Sequence, residues 1–229
     1  MQLISDHRFP ARSVLNRLGM TFAPAALCAA SLVLAVPAAL AQFGAAPTTQ
    51  VHDASALKPP PGARVAIIEF EDMECPDCGN ANPLLKEAAA KYNIPWIRHD
   101  FPLPMHNWSF QAAVNARFFD TKGKTLGNDY RDQVFANQIS IESPADLRQF
   151  TQRFASSHGI ALPFAVDPTG RFTQEVKNDY ALGQRIGIEH TPTIWIVTNA
   201  AHAAPFVEVI DRSKLYQLID QALAETRAH

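Results

Sequence analysis

Between residues 65 and 101 the apolar pattern alternates between two periods. "VAIIEF", Val65 to Phe70, is a short, nearly continuous apolar run with Val65, Ile67 and Ile68 β-branched, which predicts a strand buried on both faces of a sheet. "LLKEAAAKY", Leu84 to Tyr92, is helix by propensity. "IPWIRHDF", Ile94 to Phe101, predicts a second strand, parallel to the first because a helix separates them.

From Met105 to Ile186 the texture is helical. Trp108, Ala112, Asn115 and Phe119 recur at helical spacing before a stop at Gly123, and "GNDYRDQVFANQ" predicts a short helix after it. A third helix opens with Ser143 as N-cap and Pro144 in the first turn and ends at Gly159. "DPTGRFTQEVKNDYALGQRIG" predicts a fourth, closed near Gly187. "PTIWIV", Pro192 to Val197, and "PFVEVI", Pro205 to Ile210, follow as strands at hairpin spacing. Ser213 to Arg227 predicts a capped terminal helix with Leu215, Leu218, Ile219, Ala222 and Leu223 on one face. Sheet-forming segments thus flank a helical block. This predicts an α/β domain over 65–104 and 187–227, carrying residues 105–186 as an inserted helical subdomain.

The amino-terminal region departs from this pattern. Arg8, Arg12 and Arg17 precede an uncharged apolar run from Leu18 to Ala41 that ends in Ala39-Leu40-Ala41 before Gln42. A basic region, an apolar stretch and a small-x-small site predict a signal peptide over 1–41 and an extracytoplasmic or periplasmic location; the alternative is an uncleaved membrane anchor. Residues 42–64, rich in Pro, Ala and Thr, predict an exposed linker. The formal net charge of -2 points away from a nucleic-acid partner.

Chemistry concentrates in "FEDMECPDCGNANP", which holds Cys75 and Cys78; the remaining cysteine of the chain, Cys28, lies in the leader. Cys75 stands where a strand meets a helix with Pro76 as first helical residue, so unpaired N–H groups and the positive dipole end favour its thiolate. Cys78 is one turn further on, placed to close a disulfide with Cys75 or to resolve a mixed one. Glu71, Asp72, Glu74 and Asp77 are expected to pull the other way and make the thiol less acidic. Glu69, a carboxyl in an apolar strand, is expected beneath the pair as a proton acceptor for Cys78. Metal ligation is the competing reading. A structural zinc site needs four ligands, and the sequence offers no second CxxC and no paired histidines. A two-thiolate copper(I) carrier remains as an alternative, and neither a metal nor another cofactor is expected in the main reading.

With strand, CPDC, helix, inserted helices and a late "TPT" in hand, the chain resembles the DsbA-like branch of the thioredoxin superfamily from about Gly62 to Ala224. "IIEFEDMECPDC", "RHDFPLPMHNW" and "HTPTIWIV" carry the resemblance. It implies a thioredoxin fold with an inserted helical subdomain and a protein thiol-disulfide oxidoreductase without cofactor. It implies that Cys75 is the nucleophile, Cys78 the resolving thiol, Pro76 and Asp77 the tuning dipeptide and Glu69 the buried acid. Pro192 becomes a cis-proline facing the disulfide, Thr191 the residue whose backbone pairs with substrate peptide, and Pro83 the proline that kinks the helix. The implied partners are cysteine-containing exported proteins and a membrane redox partner that resets the pair. Asp77 departs from the His or aromatic residue common in oxidases of this branch. A peptide-binding chaperone with the same fold is the second alternative. His99, His106 and His190 could approach the site, although a lone histidine is more often a surface or core residue than a catalyst.

Overall fold

The computed structural model describes residues 49–200 and 204–226. The leader expected over 1–41 and the first residues of the expected linker lie outside them. No helix among the described residues is long and apolar enough to cross a membrane.

Strand β1 (Val65–Glu71) is buried at all seven positions, and its neighbours explain why. It pairs in parallel with β2 (Trp96–Asp100) on one side and antiparallel with β3 (Thr193–Thr198) on the other. β3 in turn pairs antiparallel with β4 (Phe206–Glu208), giving the order β2-β1-β3-β4. Successive side chains of β1 face opposite sides. Val65 and Ile67 pack with α1 (Pro76–Tyr92) and α6 (Leu215–Glu225) through Ala81, Leu85, Leu215 and Ile219. Ala66, Ile68 and Phe70 pack on the other face with Phe101, Trp195 and Ile186 of α5 (Arg171–Ile186). By the same period Glu69 and Glu71 share the α1 face.

Between β2 and β3 the chain forms α2 (Ser109–Asp120), α3 (Lys124–Ala136), α4 (Pro144–Ser157) and α5. Their core, with Trp108, Phe119, Tyr130, Val134 and Phe154, also takes in Met73, Cys75 and Cys78. The redox motif is therefore packed against the helical segment as well as the sheet. Ser143 caps α4 as expected, accepting from the Asp146 N–H at 3.2 Å.

α1 begins at Pro76 as expected and runs on through Leu84 to Tyr92, so the motif itself is the first turn of the long helix. Other expectations change in detail. α3 begins at Lys124, three residues before the glycine expected to open it. Gly127 sits inside that helix because it crosses Asp120, whose Oδ1 would lie 2.0 Å from an added Cβ. β4 is three residues long because Val209 turns into the apolar face, and the cap of the terminal segment is Asp211, accepting from the Ser213 N–H at 3.0 Å. The expected linker is the largest correction. From Thr49 on it lies on the domain: Leu57 is 2% exposed. Thr49 donates through its N–H and Oγ1 to Glu208, at 3.1 and 2.7 Å, and the His52 N–H donates to the Ile186 carbonyl at 2.8 Å. Only Thr49 and Leu57 of residues 49–64 are buried, so the segment is anchored at a few points while half of its positions stay exposed as expected.

Candidate active site

Cys75 is the N-cap of α1, with extended backbone angles and Pro76 behind it in the first turn. Its Sγ lies 3.3 Å from the Thr191 carbonyl, to which the thiol donates. The Thr191–Pro192 peptide bond is cis. Both cysteines are unbridged and buried, Cys75 at 8% exposure and Cys78 at 0%.

The two thiols are driven apart in acidity. Cys75 is lowered to about 5. The Cys78 thiol, donating to the Cys75 sulfur, contributes most, burial opposes it, and the N–H groups of Cys78 and Asp77 help, as does the Thr191 hydroxyl, which has no other partner. Cys78 is pushed well above the usual thiol range, first by burial, then by the hydrogen bond to Cys75 and the charge of Glu69. The Asp72 N–H, 3.5 Å from the Cys78 sulfur, works in the other direction.

Glu69 lies in the middle of the sheet, opposite Arg98 on β2 and Ile194 on β3, and is 1% exposed. Its Oε2 accepts from Trp96 Nε1 at 3.0 Å, while Oε1 has no hydrogen-bond partner. Burial, and next the neighbouring Glu71, push its carboxyl up to about 8, against Arg98 and the Trp96 bond. A carboxyl in this range can hold or release a proton near neutral pH.

The acids around the motif do not oppose the thiolate as expected, because each is bound elsewhere. Glu71 accepts from Arg98 at 2.8 Å. Asp72 Oδ2 accepts from the Leu103 N–H and faces His106 Nδ1, each at 2.6 Å, and its Oδ1 takes the Glu74 N–H. Glu74 accepts from the N–H groups of Trp108 and Ser109 at the start of α2, at 2.7 and 3.1 Å. Asp77 pairs with Arg212 at 2.6 Å, and the same guanidinium donates to the Asp77 carbonyl at 3.1 Å. Among the three histidines, His106 joins the motif through Asp72. His99 stacks on Phe70 and pairs with Asp179 at 3.0 Å, and His190 is exposed just before Thr191.

Sequence reasoning did not identify Arg98, Arg131, Gln138 or Arg212. Arg98 is buried beside Trp96, its guanidinium 4.3 Å from that ring's centroid, and binds Glu71, Asn82 and Asp132. Arg131, 1% exposed, forks onto Asp120 at 3.0 and 2.9 Å and reaches Glu71 at 3.7 Å. Breaking such a buried pair leaves an uncompensated charge, at a cost of about 3–5 kcal/mol. An Arg in the apolar "IPWIRHDF" strand was a visible signal. The others come from distant helices and turns and carry none. Among the described residues no group of three or more His, Cys, Asp or Glu side chains is placed to hold a metal ion.

A family model described as Thioredoxin matches residues 60–212, two thirds of the chain, including the motif, Glu69, Thr191 and Pro192. The chain belongs to the thioredoxin family. Within that family its fold is DsbA-like. The thiol-disulfide exchange protein alpha-DsbA2 from Wolbachia pipientis is 19% identical with a TM-score of 0.56, covering 72% of this chain and 84% of that one. The catalytic domain of Proteus mirabilis ScsC is 17% identical with a TM-score of 0.57, covering 73% and 88%. In sequence, the Na(+)/H(+) antiporter NhaA 3 of Salinispora tropica is 25% identical over 156 residues, 67% of this thioredoxin-family chain and 23% of the antiporter. The chain spans about a quarter of the length of the curated relatives it matches.

Proposed function

We propose that this protein is an exported thiol-disulfide oxidoreductase that exchanges disulfides with cysteine-containing proteins through Cys75, with oxidation or general exchange favoured over dedicated isomerisation. One observation carries the reading: two like thiols, one turn apart, are held in opposite protonation states. Cys75 is a thiolate at neutral pH beside the Thr191 carbonyl and cis-Pro192, and Cys78 is a sealed thiol above Glu69.

In the oxidising direction a substrate thiolate attacks the Cys75 sulfur of the Cys75–Cys78 disulfide. Cys78 leaves and is protonated by Glu69, forming a substrate–Cys75 mixed disulfide. A second substrate thiolate attacks the substrate sulfur and releases Cys75 as a thiolate. The substrate loses two electrons, and the pair gains them. In the reverse direction Glu69 takes the Cys78 proton, and Cys78 attacks the Cys75 sulfur of the mixed disulfide and releases the substrate thiolate. A stable Cys75 thiolate favours the reduced pair and hence the oxidising direction. The strand entered through Thr191 and Pro192 presents backbone to a substrate peptide. Residues 1–41 serve as the export signal, 65–104 and 187–227 as the thioredoxin-fold part, and 105–186 as its insertion. A membrane redox partner resets the pair.

The test is insulin reduction and dithiol oxidation. Cys75→Ser abolishes both, and Cys78→Ser traps substrate on Cys75; activity retained in Cys75→Ser sinks the reading. Titration of the pair against glutathione then sets direction, with about -120 mV marking an oxidase and about -270 mV a reductase.

A further inference from the structure

The carbonyl oxygens of Met73 and Cys75 both accept from one side chain outside the motif. Gln138, in the turn Gln138–Ser140 between α3 and α4, donates through Nε2 to Met73 O at 2.8 Å and to Cys75 O at 2.9 Å. The Cys75 carbonyl's other donor is the Gly79 N–H, at a longer 3.2 Å. Pro76 has no N–H to help hold this turn. Within the loop, the Cys75 N–H bonds the Asp72 carbonyl at 3.0 Å, the Glu74 N–H bonds Asp72 Oδ1 at 2.8 Å and the Asp72 N–H lies 3.5 Å from the Cys78 sulfur, but none of these holds the Met73 or Cys75 carbonyl.

Gly79 supplies an independent observation. It lies in the first turns of α1, where glycine costs roughly 0.5–1 kcal/mol relative to alanine. A Cβ there would stand 2.7 Å from Gln138 Oε1 and 3.3 Å from its Cδ. The missing side chain is the seat of the Gln138 amide. An added methyl would push the amide off that seat, and so off both carbonyls.

We propose that Gln138 is a positioning residue for Cys75: its amide, seated over Gly79, clamps the loop before α1 and fixes the sulfur against the first N–H groups of that helix. The proposal rests on the exchange reading above. The Cys75 thiolate is favoured by the N–H groups of Cys78 and Asp77, and their distance to the sulfur depends on the loop geometry that Gln138 holds. The helical segment thereby acts on the nucleophile through the backbone that carries it.

The experiment is a pH titration of Cys75 in the reduced protein, by thiolate absorbance and by iodoacetamide alkylation at pH 5. Gln138→Ala raises the midpoint and slows alkylation about threefold, since roughly half of Cys75 is ionised at that pH in the wild type. Gly79→Ala does the same in the wild-type background, although alanine is the better helix residue, and adds nothing in the Gln138→Ala background. An unchanged midpoint in Gln138→Ala overturns the proposal, as does a Gly79→Ala effect of equal size with and without Gln138. If Gln138→Ala does not fold, Gly79→Ala decides alone, and alkylation that is unchanged or faster overturns it. These readings need no substrate, so they stay distinct from failure of the exchange reading, which shows as insulin reduction surviving Cys75→Ser.

Discussion

The rim of the site and its floor are built from the same residue types and behave oppositely. On the rim, Cys75 meets backbone N–H groups and the Thr191 hydroxyl, and the acids near it are tied to Arg212, His106 or the start of α2. On the floor, Cys78 and Glu69 lie in the sheet–helix interior, and both are held toward their neutral forms by burial. The acids that neighbour Cys75 in sequence do not decide its charge state here. What decides it is whether a compensating donor reaches it and whether water does.

The sharpest test of that contrast is alkylation of the reduced protein at pH 7. With Cys75 titrating at about 5 and Cys78 well above the usual thiol range, ionisation alone makes Cys75 react at least about a hundredfold faster, read by fragment-ion mass spectrometry of the tryptic peptide Val65 to Lys86 that holds both. Comparable rates would erase the distinction between rim and floor.

Glu69→Gln probes the floor, with an expected effect of about tenfold. Resolution of a Cys75 mixed disulfide slows by about that factor near pH 8, and its rise between pH 6 and 8 flattens. Stability carries the matching sign. The Glu69 carboxyl titrates higher when folded, so the folded state binds the extra proton, and stability falls as pH rises from about 4.5 to about 8. Glu69→Gln removes that fall, seen as a smaller loss of melting temperature across the same window. Cys75 has the reverse sign: its folded value is depressed, so its contribution is full above about 9 and is lost as pH falls through about 5. Cys75→Ser therefore steepens the fall of stability with rising pH that Glu69 causes.

The smallest expected effect is on the rim. Arg212→Gln frees the Asp77 carboxylate and raises the Cys75 midpoint modestly, slowing alkylation at pH 5 about twofold, because the pair is partly exposed and screened. In an Asp77→Asn background the same substitution leaves the midpoint where it was. A large shift there would mean that Arg212 acts on the sulfur directly.

How much of this was legible in the sequence follows the same division. The buried strand, the CxxC at a helix start and the helical block could be read because each is a local pattern of apolar spacing or of Pro and Ser at a cap. Glu69 could be read because a charge in an apolar strand stands out. The effect of Glu71, Asp72, Glu74 and Asp77 on Cys75 was misjudged because sequence distance shows the acids and hides their partners. Arg98, Arg212 and the backbone of α2 reach them from 27 to 135 residues away along the chain by way of tertiary packing. The segment after Thr49 was misread for a related reason: composition describes what a stretch contains and not which groove receives it.

Glu74 sits next to the nucleophile, yet its carboxylate closes the first turn of α2. The nucleophile's loop and the wall beside it are thus bolted at a single joint, and the wall cannot swing as a lid without dragging the sulfur with it. Under the exchange reading proposed above, a rim joined in this way is set before any partner arrives, which leaves discrimination to the side chains it displays.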